Sequence, residues 1–221
     1  MKKTLLFGYL LTLCNLTLFA QTGERPRIVH TTEKSAIHVP PQDAPAALQK
    51  IYSNLGTSST DLYDDGAGEI VEGPNAEGAG EYFFAMQFTP NNNSHVLQVR
   101  VAVQYLGTGA NQVNLNIYGD TNGAPGTLLA GPTEVRNLPE FGTCCALAVA
   151  NFSPVAVIGG TQYWVVADTP LTGTGSDFLG LWDFVVQGKT PPNAFYSLEN
   201  GSWYPDPSLD EPAGAVLGTI P

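Results

Sequence analysis

Basic side chains are scarce in this chain of 221 residues: nine Lys and Arg stand against twenty Asp and Glu, for a formal net charge of −11. Beyond residue 50 the only ones are Arg100, Arg136 and Lys189. So acidic a surface repels phosphate backbones and anionic headgroups, which argues against nucleic acid and membrane surfaces as partners. Histidine is scarcer still, limited to His30, His38 and His95. No Gly-x-Ser-x-Gly elbow occurs, so the usual setting for a serine or cysteine nucleophile with a histidine base is missing. No two of the histidines share a zinc-ligand spacing. No window reads as a capped amphipathic helix, and Ala44–Lys50 offers one turn at most. Without helices there are no crossovers for a parallel α/β sheet and no helix for a phosphate loop to open. The expectation is a protein that is not an enzyme, and no catalytic residue is assigned.

Long apolar runs are absent with one exception. Lys2 and Lys3 precede an apolar stretch from Leu5 to Phe19 that ends at Phe19-Ala20-Gln21. Spanning a bilayer takes ~20 apolar residues. This run is shorter and broken by Asn15, and it reads as a signal peptide over residues 1–20. Its removal takes away two lysines and no acid, which moves the net charge from −11 to −13. Residues 21–46, with Pro26, Pro40, Pro41 and Pro45, read as a flexible leader, and 47–221 as one domain. The expected location is secreted or extracellular, with no membrane insertion after signal cleavage.

What the chain has in quantity is two-residue alternation. Leu97, Val99, Val101, Val103 and Tyr105 alternate with Gln98, Arg100, Ala102 and Gln104, as a sheet buried on one side requires. Val113, Leu115 and Ile117 repeat the pattern, and the turn-rich Gly107–Asn111 link predicts an antiparallel hairpin between the two runs. Further strands are expected around Tyr82–Phe88, Thr133–Leu138, Ala146–Phe152, Gln162–Asp168, Leu179–Val186, Ala194–Leu198 and Ala215–Ile220. Short strands with frequent turns point to an all-β fold, an antiparallel β-sandwich or jelly roll.

Four constellations are candidates for function. Calcium is the metal best matched by the residues, because Asp120 and Asn122, and Asp61, Asp64 and Asp65, put oxygen ligands close together on turns. Neither completes a twelve-residue calcium loop, and Asn122-Gly123 is also an ordinary hairpin signal. Cys144 and Cys145, the only cysteines outside the signal, would face opposite ways in a regular strand. After Gly142-Thr143 they read as a vicinal disulfide in a turn, with buried thiols or an intermolecular or redox role as the alternatives. Trp203-Tyr204 lies in a turn-rich stretch as a candidate ligand platform, with cover for the sandwich's open end as the plain alternative. Trp164 and Trp182 read as core. Asp168, Asp177, Asp183 and Glu199 would suit a glycosidase only at a particular separation, and solvated carboxylates are the simpler reading.

Four segments in order carry a resemblance: Ile51–Gly56, Asn116–Leu129 (NIYGDTNGAPGTLL), Asn137–Cys145 (NLPEFGTCC) and Gly160–Ala167 (GTQYWVVA). Together they resemble bacterial choice-of-anchor R domains over roughly residues 50–205. The resemblance implies an exported module, usually followed by a sorting signal, and assigns no catalytic residues. The functional expectation is a secreted, non-catalytic module engaging a polysaccharide or an extracellular protein. The alternatives are a structural or adhesion module and a carboxylate-based glycoside hydrolase.

Overall fold

The computed structural model describes residues 29–30, 37–38, 48–77, 80–185, 194–198, 202–205 and 211–221. Every regular element among them is a strand. In chain order these are β1 (Val29–His30), β2 (Ile37–His38), β3 (Gln49–Ser53), β4 (Asp64–Glu72), β5 (Phe83–Phe88), β6 (Ser94–Val101), β7 (Val103–Thr108) and β8 (Gln112–Thr121). There follow β9 (Ala124–Arg136), β10 (Thr143–Cys144), β11 (Ala148–Val157), β12 (Tyr163–Asp168), β13 (Leu179–Phe184), β14 (Ala194–Leu198), β15 (Ser202–Pro205) and β16 (Gly214–Thr219).

The strands form a β4 sheet (β1-β4-β13-β7), a β6 sheet (β11-β6-β16-β3) and a six-stranded β12 sheet (β15-β14-β5-β12-β8-β9). All pairings within these three are antiparallel, whereas the two-stranded β10-β2 pair is parallel. One apolar core is filled from all three: Val99 and Val216 from the β6 sheet, Phe84, Met86, Val165 and Ile117 from the β12 sheet, Val71, Val103 and Trp182 from the β4 sheet. Burying a side chain of this kind stabilises by roughly 1.5–3 kcal/mol. Trp182 meets Phe84 edge-on at 6.2 Å, and its indole N–H donates to the Ala213 carbonyl at 2.9 Å. The all-β sandwich expected from the alternation is the fold observed.

The run from Leu97 to Tyr105 is not one strand. It passes from the β6 sheet to the β4 sheet at Ala102, where three backbone bonds form a ring. Ala102 N donates to Ala213 O, Ala213 N to Asp183 O, and Asp183 N to Ala102 O. Both halves still face the core, so the alternation runs on while the hydrogen-bonding partners change. The expected hairpin to Val113–Ile117 is likewise absent: β7 pairs with β13, and β8 with β9 and β12. The hairpin that does form turns at Asn122-Gly123. Both residues have positive φ, 56° and 83°, between paired Thr121 and Ala124. That is the two-residue geometry Asn-Gly favours.

Two pieces of the expected leader are strand-paired to the domain. Val29 and His30 lie opposite Gly68 and Ala67, and Ile37 and His38 opposite Thr143 and Cys144. Residues 1–28, with the expected signal peptide, lie outside the described residues. Among the described residues no helix is long and apolar enough to cross a membrane.

Candidate functional site

Strand β12 sends Tyr163, Val165 and Ala167 into the core, and therefore Trp164, Val166 and Asp168 to the sheet's other face. Register fixes their neighbours. Trp164 lies between Gln87 and Tyr118, Val166 between Ala85 and Asn116, and Asp168 opposite Asn114. Ala85, Trp164 and Val166 form a small second cluster, on which Tyr118 and Trp203 pack. The sheet's two edge strands, β15 and β9, approach one another, so the sheet curls around this face. Trp164 is fully covered and serves as floor. Tyr118 and Trp203 are partly exposed rings beside it, and Leu128, opposite Tyr118, is 44% exposed.

Polar groups are interleaved with these rings. Asp168 accepts a hydrogen bond from the Asn116 amide at 2.8 Å. Burial raises its pKa to about 7; hydrogen bonds from Asn114 and Asn116 oppose the rise, and the charge of Glu81 adds to it. Burial, then the Asp168 charge, raises the Tyr118 phenol in turn. Asp120, at the end of β8, accepts from the Trp164 indole N–H at 2.9 Å and from the Gln162 amide at 2.7 Å through one oxygen. Its other oxygen accepts from Gly123 N at 3.0 Å. The calcium candidate Asp120 thus anchors a turn and an indole, and Asn122 is the first residue of that turn.

Trp203 and Tyr204 do not share a surface. They sit in strand β15 rather than a turn, and neighbouring strand residues point to opposite faces. Trp203, opposite Ser197, joins Trp164 and Tyr118; Tyr204, opposite Tyr196, turns the other way and is 44% exposed.

A second polar region lies on the face of the β4 sheet away from the main core. Cys144 and Cys145 are joined in a vicinal disulfide, buried with Leu62, Leu147 and Val185. The Tyr63 hydroxyl lies 2.9 Å from the Thr143 carbonyl and 2.8 Å from that of Ala146. Gln104 donates to Thr143 O at 3.2 Å and accepts from Gly142 N at 2.7 Å, so two side chains clamp the loop. The remaining calcium candidates divide here. Asp61 is exposed on a surface turn, Asp64 caps Gly66 N at 3.2 Å, and Asp65 is buried. Asp183 is completely buried, and neither of its oxygens has a hydrogen-bond partner. Burial drives its pKa well up, and the charges of Asp65 and then Asp64 push the same way.

The other carboxylates weighed for hydrolysis are dispersed. Asp168 is on the β12 sheet, Asp177 holds Ala110 N at 3.1 Å on an exposed loop, and Asp183 is at the sheet junction. Glu199 lies outside the described residues. A cleft of about 340 Å³ opens between the end of β9 and β11, lined by Val135, Arg136, Leu138, Leu147 and Asn151 among others. None of the expected site residues lines it. Sequence reasoning passed over Tyr118, Asn114 and Asn116. The signal was the polar half of the β8 alternation, which becomes informative once Trp164 is known to lie beside it. No protein-family model matches the chain, and no curated protein matches it.

Proposed function

We infer that this chain is an exported, non-catalytic β-sandwich module that binds carbohydrate on the outward face of its β12 sheet. The observation carrying this reading is the pairing of the partly exposed Trp203 and Tyr118 rings on one face with the half-buried Asp168, whose carboxylate the buried Asn114 and Asn116 hold in place. Sugars lay apolar ring faces on aromatics, while amides and carboxylates take their hydroxyls. Export is supported by the signal-like residues 1–20, by a disulfide of the kind oxidising compartments permit, and by the resemblance to choice-of-anchor R domains. Of the carboxylates weighed for hydrolysis, neither Asp177 nor Asp183 stands beside Asp168 on that face, although the charge of Glu81 reaches it.

Tryptophan-fluorescence titration of the mature chain against a panel of polysaccharides tests the proposal. Saturable quenching is expected, weakened about tenfold by Trp203→Ala, which is about 1.4 kcal/mol. Flat titrations across the panel and on a glycan array would sink it. Leu128, exposed opposite Tyr118, favours a second reading in which the same face docks an extracellular protein. Loss of partner adhesion in Leu128→Asp, with no polysaccharide retarding the chain in affinity gels, would select that one.

A further inference from the structure

We propose that the glycan taken by the outward face of the β12 sheet is an amino-sugar polymer, one of whose ammonium groups docks on the Asp168 carboxylate. The inference rests on the sugar-binding reading above and names the class of sugar. Strand register sets the groups in a row across the sheet. Trp203 lies opposite Ser197, and Ser197 opposite Phe83. Phe83 and Asp168 each come next after the last pair of the β5–β12 ladder, Phe84 with Ala167, and Asp168 in turn lies opposite Asn114. Phe84, Met86 and Phe88 fill the core, so the half-buried Phe83 turns to the same face as Asp168. A carboxylate thus stands among partly exposed rings, with Tyr118 further along β8.

Its charge is unanswered by the protein. Asp168 is held by the neutral amides of Asn114 and Asn116, and the charge acting on it, that of Glu81, has its own sign. Among the described residues Lys50 and Arg100 belong to strands of the β6 sheet, and Arg136, at the end of β9, is ion-paired with Glu134. A half-buried carboxylate without a cation is costly to ionise, and burial raises its pKa to about 7 for that reason. A ligand ammonium would offset that cost and add a charge-assisted hydrogen bond. A uronate would instead bring a like charge toward Asp168 and Glu81. The rings accept the apolar face of any pyranose, so selection falls to the carboxylate.

Calorimetric titration of the mature chain at neutral pH with glucosamine, glucose and glucuronate oligomers of one linkage and length tests the proposal. Glucosamine oligomers should bind roughly tenfold more tightly than glucose oligomers, and glucuronate oligomers most weakly. Asp168→Asn should erase the preference for the amine, whereas Trp203→Ala should weaken both kinds of oligomer. Asp61→Asn, exposed on a turn outside the β12 sheet, should keep the preference, which separates docking at Asp168 from general attraction to an acidic chain. The ligand comparison needs no variant, so it stands whether or not Asp168→Asn folds. Equal binding of glucosamine and glucose oligomers would overturn the proposal and leave the sugar-binding reading standing. A preference that survives Asp168→Asn, or that Asp61→Asn removes, would overturn it equally. Silence from all three oligomers, beside saturable binding of another polysaccharide, would overturn this inference alone; silence from every glycan would overturn both.

Discussion

Asp168→Asn should stabilise the folded chain at neutral and alkaline pH and do nothing favourable in acid. The carboxyl rises from 3.8 to about 7 on folding, a change of about three pH units. Each unit is worth about 1.4 kcal/mol, so the ionised group costs the fold up to about 4 kcal/mol. The sign follows from where each state takes up its proton. Below pH 4 the group is protonated in both states and contributes nothing. Between about 4 and 7 only the folded state holds the proton, and stability falls by about 1.4 kcal/mol per unit. Above 7 the penalty is constant. Asn keeps an acceptor for the Asn116 amide but sets an N–H₂ toward Asn114 in place of an oxygen, a loss of about 1 kcal/mol. Partial exposure of the site reduces the gain further. The net expectation is roughly 2 kcal/mol of stabilisation at pH 8, shrinking through pH 6 and reversing near pH 4. Urea unfolding of both proteins at unit steps from pH 4 to 8 measures it directly. A difference that does not vary with pH, or an Asp168 carboxyl that titrates near 4 by NMR, would refute the reasoning.

Tyr63→Phe removes the hydroxyl that meets the Thr143 and Ala146 carbonyls, and should cost about 1–3 kcal/mol in urea unfolding. The same variant should make Cys144–Cys145 reducible at lower dithiothreitol, because the loop's clamp is halved. Intact mass of the unreduced mature protein should lie about 2 Da below that of the reduced form, as loss of two thiol hydrogens demands. Equal masses would show that the cysteines are not bonded. Gly123→Ala, at φ 83°, should destabilise by about 1–2 kcal/mol, whereas Asn122→Gly at φ 56° should be close to neutral. If both proved equally harmful, turn geometry would not be the cause.

Local chemistry was legible and partnership was not. Asn122-Gly123 announced its turn because two residues suffice to specify it. Alternation from Val99 to Tyr105 correctly reported which side chains face the core, but a register shift at Leu97 puts Val96 there in its place, and alternation is silent on which strand lies alongside. The exchange of partners at Ala102 therefore left no trace, and the Gly107–Asn111 turn was assigned to the wrong pair. Strand β4 hid among Asp64, Asp65, Gly66 and Gly68, residues that propensity places in turns, since burial between β1 and β13 outweighs propensity there. At the candidate site, reading Trp203-Tyr204 as a turn put two rings side by side that a strand sets on opposite faces. Tyr118 and Trp164 are 46 positions apart, and only the β8–β12 register makes them neighbours. Buried Asp183 looked like any acid near aromatics, because desolvation is a property of surroundings.

The ring of amide bonds through Ala102, Asp183 and Ala213 has a mechanical consequence. A single uninterrupted stretch of chain is an inner strand of the β6 sheet and an edge strand of the β4 sheet, and each of the other two backbones is laced to it and to the other at the crossing point. Neither sheet can peel away without pulling its sibling apart at the same instant. Loosening that begins at either rim must therefore spread to the knot before anything large gives way, and beyond it the whole layer fails together.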